Sequence, residues 1–134
     1  MLMQPRKTKY KKLQKGKIKK YDYKSTQLTF GTIGLKAISS GIISARQLEA
    51  ARQTINRKIK RKGKIWIKIF PSIPITEKPV SVRMGKGKGA VKYWGAKVSS
   101  GKVLFELCGV SIKESILALK SGSHKLPIKT KIIY

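Results

Sequence analysis

The spacing of apolar residues changes several times along the chain, and each change marks an element. In SARQLEAARQTINRKIKRKG (44–63), Leu48, Ala51, Ile55 and Ile59 recur at helical spacing, which predicts a helix with one face on a core. Ser44 with Gln47 three residues on reads as a capping box, and Gly63 supplies a stop. QLTFGTIGLKA (27–37) alternates as a strand does and contains Gly31 and Gly34. KIWIKIF (64–70) puts Ile65, Ile67 and Ile69 on one side and Trp66 and Phe70 on the other, a second strand. Pro71, Pro74 and Pro79 then impose a rigid extended connection. AVKYWGAKV (90–98), a turn at Ser99–Gly101 and KVLFELCGV (102–110) predict an antiparallel hairpin. Ser111 with Glu114 reads as a second capping box, opening a helix whose end is blurred by Ser121 and Gly122. Pro127 opens a last strand, PIKTKIIY. The order predicts an α+β fold: a mixed, mainly antiparallel sheet packed by two helices on one face.

Charge adds what periodicity cannot. Thirty-two Lys and Arg face five Asp and Glu, a formal net charge of +27 over 134 residues. Solvated surfaces mix both signs, so this imbalance calls for a polyanionic partner and points to nucleic acid. Residues 1–24 form an extended basic arm whose only acid is Asp22, with Tyr10, Tyr21 and Tyr23 interleaved for stacking on bases or sugars. Residues 25–134 form the globular body, and 1–134 is read as a single domain. The predicted 44–63 helix turns Arg46, Gln53, Arg57, Lys60 and Arg61 away from its apolar stripe, with Glu49 as its only acid. That face reads as a phosphate-contacting ridge.

VRMGKGKGAVKYW (82–94) alternates glycine and lysine. A phosphate-binding loop of the Walker type needs Gly-Lys followed by Ser or Thr, which is missing here. The dinucleotide fingerprint G-x-G-x-x-G fails because residue 90 is alanine. Instead the stretch predicts a projecting cationic loop suited to a nucleic-acid backbone. No catalytic constellation is found, so the chain reads as a non-enzyme. Glu77, Glu106 and Glu114 fall in separate elements and read as partners of nearby lysines. Cys108 reads as a small buried hydrophobe, and His124 as a helix cap or surface residue. One cysteine and one histidine give no metal cluster, and no cofactor is expected. No apolar run is long enough to span a membrane, and no signal peptide is read at the N-terminus.

QPRKTKYKKLQKG (4–16), FGTIGLKA (30–37), SARQLEAARQTINR (44–57), GKIWIKIFPSIPITEKP (63–79), VRMGKGKG (82–89) and KLPIKTK (125–131) together resemble, in order, large-subunit ribosomal protein sixteen of the bacterial type. The resemblance implies a structural constituent of the large ribosomal subunit. It implies binding to large-subunit rRNA near the peptidyl-transferase region, contact with tRNA, neighbouring ribosomal proteins as further partners, and a role late in subunit assembly. Neither a membrane nor a homo-oligomer is expected; the competing reading is a free RNA-binding or chaperone protein. The rRNA-binding residues expected are Arg6, Lys7, Lys9, Tyr10, Lys11, Lys12, Lys15 and Lys17 of the arm, with Arg46, Arg57, Lys60 and Arg61. Arg83, Met84, Gly85, Lys86, Gly87, Lys88 and Gly89 form the loop expected to face rRNA and tRNA. In the family the arginine matching Arg83 is a hydroxylation site in some bacteria. The chain departs from the family pattern at Gln14, Ser72 and Gly95 and in LKSGSHKLP, a poorer helix than the usual Ala-rich one. Lysine outnumbers arginine and isoleucine is abundant, which suggests an A+T-rich genome. With a start directly in the family motif, this favours a mitochondrial ribosome, with bacterial cytoplasm or a plastid as alternatives.

Overall fold

A computed structural model describes residues 3–134, so the first two residues of the arm lie outside the described residues. Seven strands and two helices follow in the order β1 (Ile33–Ala37), β2 (Gly41–Ser44), α1 (Ala45–Lys58), β3 (Lys64–Ile67), β4 (Ile73–Glu77), β5 (Ala90–Val98), β6 (Val103–Cys108), α2 (Ile112–Ser123) and β7 (Thr130–Ile133). The fold is α+β with two helices and antiparallel pairing, as expected, but the strands form two sheets instead of one. One has the order β3-β6-β1-β7 and the other β2-β5-β4. The expected hairpin of 90–98 with 102–110 is therefore not formed: β5 pairs with β2 and β4, while β6 pairs with β1 and β3. The turn at Ser99–Gly101 carries the chain from one sheet to the other.

α1 starts at the expected cap. Gln47 N–H donates to Ser44 Oγ and Ser44 N–H to the Gln47 side chain, satisfying two of the free donors of the first turn. Leu48, Ala51, Ile55 and the capping Ile59 are buried. The helix stops before Gly63, because Lys60 and Arg61 already adopt left-handed backbone at φ 52° and 62°. At α2 only half of the second box forms: Glu114 N–H donates to Ser111 Oγ, and that hydroxyl donates to the Glu114 carboxylate. α2 also runs on through the segment read as blurred. A Cβ at Gly122 would lie 2.5 Å from Ile55, so the glycine that weakens helix propensity is what lets α2 pack closely on α1. His124 caps this helix as anticipated.

β1 begins later than the 27–37 pattern suggested, and β3 ends at Ile67. The extended connection 71–79 contains β4, Pro74 included. An edge strand tolerates proline because one row of its backbone donors has no strand partner. Ile33, Leu35, Phe105 and Leu107 from one sheet, Ile43, Ala96 and Val98 from the other and both helices share one core. Cys108 is half-buried rather than buried. Among the described residues no helix is long and apolar enough to cross a membrane.

Candidate nucleic-acid interface

Residues 3–24 carry no regular structure, yet the end of the arm is tied down. Its single acid does this work. Asp22 accepts from the N–H groups of Lys24 and Ser25, its own N–H donates to Ser100 O, and Lys102 Nζ lies 3.9 Å from its carboxylate. Tyr21 packs against Gly101, and its ring lies 4.9 Å from that of Tyr23. Arg6, Lys7, Lys9, Tyr10, Lys11, Lys12, Lys15 and Lys17 are all exposed.

The glycine-lysine loop stands at the mouth of β4 and β5. Every residue from Arg83 to Lys88 is exposed. Gly85 and Gly87 adopt φ of 84° and 81°, with no other group near a Cβ at either. Their glycines serve conformation. Gly89 serves packing instead, since a Cβ there would run into the Glu77 backbone. Lys92 pairs with Glu77 at the base of the loop.

Arm and loop meet. Lys12 Nζ donates to Lys88 O and Lys88 Nζ donates to Leu13 O, each at 2.6 Å. Two segments about 75 residues apart in sequence thus form one cationic edge. Arg46 and Lys15 line a neighbouring cleft of about 760 Å³, together with Trp94 and the N-terminus of α1. Arg57, Lys60 and Arg61 are exposed at the other end of the helix, with Arg57 roughly 16 Å from Arg46 along its axis at 1.5 Å per residue. The predicted ridge is thus divided: its first arginine adjoins the arm, and the other cations lie at the opposite end of α1, with the exposed Lys62 and Lys64 following in sequence. Glu49 is occupied within α1 by Arg52, at 2.7 Å, and by Gln53. The Arg52 bond, partly opposed by burial, holds its carboxyl down at about 2.

Comparison with known proteins shows what kind of chain carries this edge. The sequence profile described as Ribosomal protein L16p/L10e matches residues 5–133. The chain belongs to that ribosomal protein family. It is 52% identical over 132 residues to the large ribosomal subunit protein uL16 of Sphingopyxis alaskensis, covering 98% of this chain and 92% of that protein. The uL16 proteins of Psychrobacter arcticus and Christiangramia forsetii are 50% and 49% identical, each over 98% of this chain and 96% and 95% of theirs. The family is a structural, non-enzymatic part of the ribosome, and this chain is not an enzyme. These relatives are bacterial, which fits the bacterial alternative and lends no support to the mitochondrial preference.

One structural group escaped the sequence reading. Glu106 is fully buried, and its carboxylate accepts from the N–H groups of Thr29, Phe30 and Gly31. Lys68 does approach it, at 3.6 Å, but the backbone contacts are closer. The only signal in the sequence is a lone acid at the centre of an apolar strand.

Proposed function

We propose that this chain is a structural constituent of the large ribosomal subunit that holds rRNA near the peptidyl-transferase region and reaches tRNA with its glycine-lysine loop. The joined arm and loop carry this reading: they present exposed cations along two chain segments with no acid among residues 3–21 or 80–89. The cations of such an edge displace the counterions condensed on nucleic-acid phosphates, which gives affinity without a base code. Fixed backbone shape at Asp22 and at Gly89 then supplies register. The chain acts as one copy beside neighbouring ribosomal proteins, joins late in assembly and leaves peptide-bond chemistry to RNA. The bacterial relatives support a ribosome of the bacterial cytoplasm; the lysine- and isoleucine-rich composition is the argument for a mitochondrial one.

Sedimentation of the tagged protein through a sucrose gradient, with crosslinking from Lys86 and Lys88, tests this. Co-migration with the large subunit and crosslinks to rRNA or tRNA are expected. Protein confined to light fractions at low salt, bound to heterogeneous RNA, would favour a free RNA chaperone.

The turn after α1 offers a second test. Left-handed backbone strains a residue bearing a Cβ by about 1–2 kcal/mol. Arg61→Gly should therefore raise folding stability by about 1 kcal/mol in urea melts while weakening rRNA binding. A variant gaining stability with undiminished binding would remove Arg61 from the interface.

A further inference from the structure

Phe30 and Trp66 form an aromatic pair at β3, the edge strand of the four-stranded sheet. Their ring centroids are 6.0 Å apart with planes 21° from parallel. Lys68 Nζ lies 4.4 Å from the centre of the Phe30 ring, and Lys64 Nζ lies 5.2 Å from that of Trp66. Phe30 nevertheless remains 59% exposed. A large exposed aromatic on a flexible loop would need no explanation, but this one is not flexibly held. The Glu106 carboxylate beneath it accepts from Phe30 N–H at 2.6 Å and Gly31 N–H at 2.9 Å. Gly31 lies so close to β6 that a Cβ there would sit 2.8 Å from the Glu106 side chain and the Leu107 backbone. Lys68 is fixed as well, donating to Thr29 Oγ1 at 3.1 Å.

Burying a carboxylate is costly unless its bonds are well made. Here, in a chain with five acids, one is spent on holding a surface loop. The result is a rigid aromatic face flanked by ammonium groups, which loses little freedom when something docks on it. Planar, electron-rich and phosphate-bearing ligands fit such a face, because ring stacking and cation attraction act together. A hydrophobic protein partner would match the rings but not the flanking lysines or the +27 of the chain.

We propose that Phe30 and Trp66 are a stacking platform for an unpaired rRNA nucleobase, with Lys64 on its phosphate and Lys68 holding Phe30 in place. This rests on the rRNA-binding function proposed above and adds to it a shape-specific contact. It separates recognition of a splayed base from the electrostatic grip of the arm and loop.

Rebinding of the full chain to large subunits salt-washed free of it tests the platform. Phe30→Leu and Trp66→Leu retain apolar bulk but remove the ring faces. Each should weaken rebinding roughly five- to 150-fold, the range found when a stacked aromatic is removed. The dependence of affinity on salt should be unchanged, since no phosphate contact is lost. Phe30→Leu is the decisive variant if Trp66→Leu disturbs β3. Photoreactive p-azidophenylalanine placed at Phe30 should crosslink to rRNA. Undiminished rebinding by Phe30→Leu, or crosslinks to a ribosomal protein alone, would overturn the platform and leave the rRNA-binding function intact. Failure of the unaltered chain to rebind would overturn that function and the platform together.

Discussion

Glu106→Gln is expected to lower folding stability by about 3 kcal/mol, because hydrogen bonds to a charged group are worth roughly 1.5–3 kcal/mol each. The carboxylate is 0% exposed and serves three backbone donors, all of which reach Oε2, with Thr29 N–H shared between Oε2 and Oε1. A glutamine has one oxygen. With that oxygen at the Oε1 position an NH₂ faces the Phe30 and Gly31 N–H groups, and with it at Oε2 the NH₂ faces Thr29 N–H and the Lys68 ammonium. The variant also withdraws the partner of Lys68. Burial alone would push the Glu106 carboxyl up, but the N–H groups of Phe30, Gly31 and Thr29, with Lys68, more than offset this and hold it below its ordinary value. A depressed folded-state value stabilises the protein above the unfolded value near 4.5 and loses that contribution as pH falls through the folded value. Urea melts should show the gap between wild type and Glu106→Gln narrowing on acidification from pH 7. Glu49, held at about 2, adds an acid-labile contribution that both proteins share. A gap under about 0.5 kcal/mol at pH 7, the size of an ordinary surface change, would mean that the carboxylate does not organise the 29–31 loop.

Glu106 also shows where sequence reading stops. Helix α1 was legible because its cap, its apolar stripe and its first turn are local: Ser44 and Gln47 are three residues apart. The Glu106 contacts span 75 to 77 residues, and no periodicity reports them. The same limit explains the missed sheet switch. A glycine turn between two alternating runs signals a hairpin, but pairing depends on what else is available. Gly95 lies opposite Ser44 of β2 and Ile73 of β4, where a Cβ would approach Ile42 to 2.8 Å. β5 is thus built to sit between those two strands instead of beside β6. Of the interface, the exposed arm and loop cations were readable from charge and glycine spacing. Their junction through Lys12 and Lys88, and the division of the α1 basic face, depend on the folded path.

Affinity for washed large subunits is expected to fall about 10³–10⁵-fold between 50 and 200 mM salt if roughly 6–10 phosphates are contacted and the duplex-DNA slope applies. Variants can apportion that slope. Lys86 is exposed between two glycines where even an added Cβ would meet no other group, so Lys86→Gln should reduce the slope by about 1 and leave stability unchanged. Lys12 is tied to the Lys88 carbonyl and Lys88 to that of Leu13, the next residue along the arm, so their effects should not be independent. If arm and loop bind as one unit, Lys12→Gln and Lys88→Gln each release the same junction, and the double variant loses less than the sum of the singles. Additive losses would instead mean that the junction contributes nothing to binding and that each segment finds its phosphate alone. A slope near zero for the wild-type chain is the more severe result. It would remove the electrostatic grip itself and leave the +27 charge without a role in holding RNA.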